Sequence, residues 1–334
     1  MPPSPTLFHA SQRLLLVAGL CLGWAGLSRG IILYDTDNAL ANTSAPTGDY
    51  ANSGWAYEGK YGGFLGTMIG PQYFITAQHF ALQGSTFIST STFNGVADVT
   101  YTIDTAANGG QGYWDIAGTD MRVLKINETF SSYATLYTGS AEVGSTLVTF
   151  GRGGPRGTAI NVSGSEHGWE HTGSDGVARW GANQVDQIYS SGLGNMLRAD
   201  FDAVTGQHES TLSAGDSGGG VFIEVSGQWY LAGVNYGVDN YFDTNATPND
   251  FSEFPGAALY DMGGLYIGDD PSWQFITDTA LDKPSSFYAS RISDSALEIA
   301  SIVSVPEPGS LGLLIISGCA LMKRRRLSAS SPQR

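Results

Sequence analysis

Between about Ile31 and Ile276 the chain alternates short runs of β-branched and aromatic residues with clusters of Gly, Asn, Asp and Ser. Such runs read as strands, because branched and aromatic side chains pack well on a pleated surface while Gly and Asn supply turn dihedrals. Gly63-Phe64-Leu65-Gly66-Thr67-Met68-Ile69 and Gln72-Tyr73-Phe74-Ile75-Thr76 flank Gly70-Pro71 and predict a hairpin. Residues 123–126, 145–150 and 220–225 read as further strands, and Ser226-Gly227 turns the last of these into residues 228–234. A short helix is expected around Ser272-Trp273-Gln274-Phe275-Ile276. Residues 281–304 read as a connecting linker, with 296–300 as a last strand or loose helix. No repeat of fixed short period is present. The pattern is that of an all-β protein.

Composition sharpens this picture at the two ends. The chain has 334 residues, 45 of them Gly, and a net charge of −15, so it can bury a core but offers no basic face for nucleic acid. Its two cysteines, Cys21 and Cys319, both sit in terminal apolar segments, which leaves no disulfide for the body. Arg13 precedes the apolar run 14–22, and small residues follow, so residues 1–25 read as a signal peptide. The predicted cut follows Ala25, with sites up to Gly30 also in reach. Leu20 before Cys21 is too large for a lipidation site. At the other end, Val305-Pro306-Glu307-Pro308-Gly309-Ser310 precedes an apolar stretch, 311–322, and then Lys323-Arg324-Arg325-Arg326. This tripartite segment, 305–326, resembles the PEP-CTERM sorting signal. The resemblance implies an exosortase-type sorting partner, a short transmembrane segment before processing, and a bacterial cell-surface or extracellular destination.

Three segments inside the body carry candidate chemistry. A strand runs into His79 through Phe74-Ile75-Thr76-Ala77-Gln78. Asp120 opens the apolar run Met121-Arg122-Val123-Leu124, and Ser217 lies in Ser213-Ala214-Gly215-Asp216-Ser217-Gly218-Gly219-Gly220. A serine hydroxyl needs a base within hydrogen-bond reach, histidine titrates near neutrality, and a buried aspartate fixes the imidazole tautomer. Glycines around the serine let backbone N–H groups approach a developing oxyanion. Here Gly215 and Ser217 would supply those donors. Asp115 in Trp114-Asp115-Ile116-Ala117 competes with Asp120 for the acid's place. Asp120 is preferred, because an uninterrupted strand follows it.

In order and spacing these segments resemble the trypsin/chymotrypsin-like serine peptidases over about residues 31–280. The resemblance implies two six-stranded antiparallel β-barrels, about 31–150 and 151–280, with the triad in the cleft between them. It also implies a short C-terminal helix beginning near Trp273. Asn235, Tyr236 and Gly237 would border the substrate pocket, Thr211 would floor it, and Pro255-Gly256 with Leu259-Tyr260-Asp261-Met262 would close it. In the family the aspartate before the nucleophile, here Asp216, pairs with an ammonium freed by zymogen cleavage. Arg29-Gly30-Ile31-Ile32 is a candidate site, and activation by cleavage stays open. The implied activity is an exported serine endopeptidase acting on a peptide or protein substrate without a cofactor. A catalytically silent adhesion or matrix-binding protein, or an esterase, would share the scaffold.

Other clusters read more plainly. His167 and His171, with Glu166 and Glu170, lie among glycines and are expected in a solvated loop rather than at a metal. Asp239, Asp243 and Asp250 miss the EF-hand spacing and read as an acidic surface loop.

Overall fold

The computed structural model describes residues 30–239, 241–247, 252–269 and 272–304. The predicted signal peptide, the PEP-CTERM-like segment, both cysteines, Arg29 and Asp250 lie outside the described residues. The described chain is mostly β and ends in a short helix, Ala296–Val303. Among the described residues no helix is long and apolar enough to cross a membrane.

Two seven-stranded antiparallel sheets dominate. The first runs, edge to edge, through Val99–Thr102, Thr86–Ser89, Glu58–Tyr61, Phe64–Gly70, Tyr73–Ala77, Met121–Lys125 and Tyr113–Asp115. The expected hairpin forms across Gly70-Pro71, with Met68 opposite Phe74. Every residue of Tyr73–Ala77 and Met121–Lys125 is buried, as central strands covered on both faces must be. Tyr61, Phe74, Phe87 and Phe130 fill one side, with rings 4.4–5.5 Å apart in tilted or edge-on pairs.

The second sheet runs through Arg179–Gln184, Thr146–Gly151, Gly220–Val225, Gln228–Val238, Ser286–Arg291, Gly194–Asp200 and Gln187–Ser191. The hairpin at Ser226-Gly227 has φ of 54° and 79° at its two corner residues, the left-handed geometry a two-residue turn needs to match strand twist. Smaller two- and three-stranded sheets flank it, one of them joining Ile32–Leu33 to Ser210–Thr211.

Three expectations are corrected. Each large sheet has seven strands rather than six. Residues 281–304 are no linker: Ser286–Arg291 is an interior strand, paired to Gln228–Val238 on one side and Gly194–Asp200 on the other. Its Ser and Ala residues look polar or small in sequence, yet small side chains are what a crowded central strand accepts. The helix after it buries Ile299 and Ile302, and Val303 lies against Gly70 of the first sheet. Accordingly the strand beside 228–238 is Ser286–Arg291, whereas Ala257–Leu259 pairs with Ser165–His171 in a flanking sheet. The helix expected near Trp273 is instead a short strand, Gln274–Phe275.

Candidate active site

Strand register places the first two groups. Ala77 and Met121 are opposite one another at the ends of neighbouring strands, and the Gln78 N–H donates to the Asp120 carbonyl at 2.8 Å. His79 and Asp120 therefore meet just beyond the ladder. The Nδ1 of His79 lies 2.6 Å from Asp120 Oδ2, and Nε2 lies 2.8 Å from Ser217 Oγ. The Asp120 side chain is 4% exposed and the imidazole 26%, so the carboxylate is sheltered while the imidazole stays partly open to solvent. An ionised Asp120 can only accept, which assigns the proton to Nδ1 and leaves Nε2 to accept from the serine hydroxyl. Asp115 lies elsewhere: it accepts from Arg122 Nε and Nη2 at 2.6 and 3.2 Å.

The turn that carries Ser217 is held by buried polar groups. Asp216 is fully buried and accepts from the backbone N–H of Gly153 (2.6 Å), Ser213 (2.7 Å) and Ile31 (3.1 Å), and from the Ser213 hydroxyl (3.1 Å). Burial pushes its carboxyl up, and these four bonds pull it back down. Gly151 and Gly153 make room for it, since a Cβ on either would strike the Asp216 side chain. Gly215 and Gly218 have φ of 103° and 82°, values that a residue with a Cβ adopts only under strain. Within the turn Asp216, Gly218 and Gly219 donate to Ser213, Asn235 and Asp216 carbonyls. The N–H groups of Gly215 and Ser217 take no part in those bonds among the described residues.

The pocket expectations divide. Asn235 is fully buried: its amide donates to the Phe150 and Asp216 carbonyls at 2.8 and 3.2 Å and its Oδ1 accepts from Thr149 at 2.9 Å. Its side chain is a buckle for the turn, not a pocket wall. Thr211, 1% exposed, is closed over by its strand partner Ile32. Counting along the chain fixed its distance from Ser217 but not the arm that covers it. Tyr236 stands edge-on to His79, ring centroids 5.7 Å apart, with its hydroxyl buried and unpartnered. Burial, with the Asp120 charge, raises its pKa. A Cβ built on Gly237 would meet only open space. Tyr236 thus borders the imidazole.

His167 and His171 are also corrected. Both are on the strand Ser165–His171; His167 is buried, whereas His171 is half-buried with its Nε2 enclosed. His167 Nδ1 lies 3.4 Å from Asp261 Oδ2, and burial pushes His171 down to about 4. Asp239 is half-buried rather than in a solvated loop. It accepts from the Ser286 N–H and the Tyr288 hydroxyl, while Asp243 is fully buried. Among the described residues no group of three metal-ligating side chains converges. Gly151, Gly153 and Thr149 have no part in the sequence-based expectations for the site. The run Gly151-Arg152-Gly153-Gly154 was the available signal.

No protein-family model matches the chain, and no curated protein matches it in sequence.

Proposed function

We propose that this chain is an exported serine endopeptidase of the chymotrypsin-like double-barrel type. The observation that carries the reading is the unbroken line Asp120–His79–Ser217, at 2.6 and 2.8 Å, drawn from two different sheets. In this reading His79 Nε2 takes the Ser217 proton as Oγ attacks the scissile carbonyl. Asp120 holds the imidazole and stabilises its cation. The N–H groups of Gly215 and Ser217 receive the oxyanion. His79 then returns its proton to the leaving amine, and water resolves the acyl-enzyme by the same steps in reverse.

The Ile31 N–H on Asp216 supports Ile31 as the first residue of the active form, where its ammonium would strengthen that contact. The small-x-small sequence Ser28-Arg29-Gly30 just before it suits leader removal. The sequence of the two terminal segments supports an enzyme working outside a bacterial cytoplasm and passed to an exosortase-type partner.

A fluorophosphonate should label the intact protein, and Ser217→Ala should abolish labelling. Peptide turnover should fall by about 10⁴–10⁶ in that variant. A folded wild-type protein that neither labels nor cleaves a peptide library would refute the proposal.

A further inference from the structure

Glu58 is a carboxylic acid with no assigned task, fully buried beside the nucleophile strand. It opens the strand Glu58–Tyr61 of the first sheet and pairs in register with Thr67. Its Oε1 accepts from Thr67 Oγ1 at 2.7 Å and, across the seam between the sheets, from the Gly220 N–H at 3.2 Å. Gly220 is the third residue after Ser217 and begins Gly220–Val225. The approach is close: a Cβ on Gly220 would lie 2.7 Å from both Glu58 Oε1 and Thr67 Oγ1. One turn earlier, a Cβ on Gly218 would strike Thr76 Oγ1 and the Leu65 carbonyl. The nucleophile turn is therefore seated directly on the sheet that carries His79. Glu58 supplies a side-chain hydrogen bond across that seat. Its Oε2 is buried with no partner among the described residues.

We propose that Glu58 is a positioning residue for this site, its buried carboxyl clamping the end of the nucleophile turn onto the His79 sheet. The inference rests on the hydrolase reading above. An ionised Glu58 would leave a negative charge on an unpartnered buried oxygen, which the seam relieves only by opening or admitting water. Ser217 Oγ and His79 Nε2 lie on opposite sides of that seam, so opening it lengthens the bond that activates the nucleophile.

The surroundings agree. Burial raises the Glu58 pKa to about 8, and the Thr67 and Gly220 bonds act in the other direction. Lys60 and Tyr61 on its own strand, Tyr57 on the turn before it and Glu224 on the nucleophile strand are the titratable groups of the elements around it. None of them figures among the influences on its proton. Phe64–Gly70, opposite, carries no charged side chain.

The test is the pH profile of fluorophosphonate labelling in the full protein. Wild type should lose labelling rate reversibly above about pH 8, by about tenfold per pH unit. Glu58→Gln keeps an acceptor on Thr67 and Gly220 but cannot ionise. It should label like wild type at neutral pH and hold that rate above pH 8. Thr67→Val removes a bond that favours the ionised form, so its alkaline midpoint should move upward, opposite to the narrowing that general destabilisation gives. An unchanged alkaline limb in Glu58→Gln overturns the inference, because a limb set by another group, an Ile31 ammonium included, survives that substitution. If Glu58→Gln does not fold, the Thr67→Val midpoint decides alone: upward supports, unchanged or downward refutes. Wild type that never labels at any pH sinks the hydrolase reading and the inference with it. That result is distinct from labelling with an unaltered limb.

Discussion

The two halves of the site are built by different means. His79 and Asp120 are delivered by a ladder: the neighbouring strands Tyr73–Ala77 and Met121–Lys125 fix where each side chain emerges. Ser217 is delivered by a loop whose shape comes from buried side chains, Asp216 and Asn235, reaching to backbone groups far away in sequence. A ladder is redundant, since many equivalent bonds set the same register. A loop held by two polar side chains is not, because each unmet partner is then buried and unpaired. Chemistry and stability should therefore separate cleanly in the first half and fail together in the second.

Among variants that set the two halves against each other, the largest effect should come from Asp120→Asn. It should cut the labelling rate by about 10⁴ through the wrong imidazole tautomer while leaving the unfolding midpoint nearly unchanged. Stopped-flow labelling beside a denaturant melt reads both. Asn235→Ala should behave differently, costing about 2–4 kcal/mol by stranding Thr149 and two carbonyls, with labelling falling in the same protein. If Asn235→Ala lost reactivity without stability, the contrast between the halves would collapse.

Acid should also act on the nucleophile side. His171, on the strand that pairs with Ala257–Leu259, is held neutral by burial at about 4, below its ordinary 6.5. A lowered histidine contributes stability that is present above 6.5 and lost as pH falls toward 4, about 3 kcal/mol in all. The raised carboxyls of Glu58 and Glu209, pushed to about 8 and 9 by burial, change in the opposite sense, so the comparison must be made between variants. His171→Phe should flatten the wild-type loss between pH 6.5 and 4 in urea melts. Equal slopes in both proteins would contradict it. The smallest effect belongs to Asp115→Asn, which breaks a partly exposed pair with Arg122 and should cost about 0.5–1 kcal/mol with labelling untouched.

The reactive groups were readable because their signals are local. A glycine-flanked serine, a strand ending in histidine and an aspartate opening an apolar run each announce themselves within a few residues. The choice between Asp115 and Asp120 already needed geometry, since both precede apolar positions of the same strand pair. Asn235 was misread for the opposite reason: its partners are 19 to 86 residues away, and nothing beside it in the chain names them. Gly151 and Gly153 look like turn residues until Asp216 occupies the space their missing side chains leave. Ser286–Arg291 reads as part of the connector 281–304 because its Ser and Ala residues carry a weak apolar pattern, although packing between two strands is what selects them.

The placing of Ser286–Arg291 between strands made some fifty to ninety residues earlier sets a timetable for the molecule. Until this segment is in place, Gly194–Asp200 and Gln228–Val238 each keep an open edge facing where the missing strand belongs. The helix that bridges to the first sheet comes later still. A nascent chain therefore holds Ser217 and His79 without the frame that brings them together. Assembly of the nucleophile is among the last events in the history of each copy.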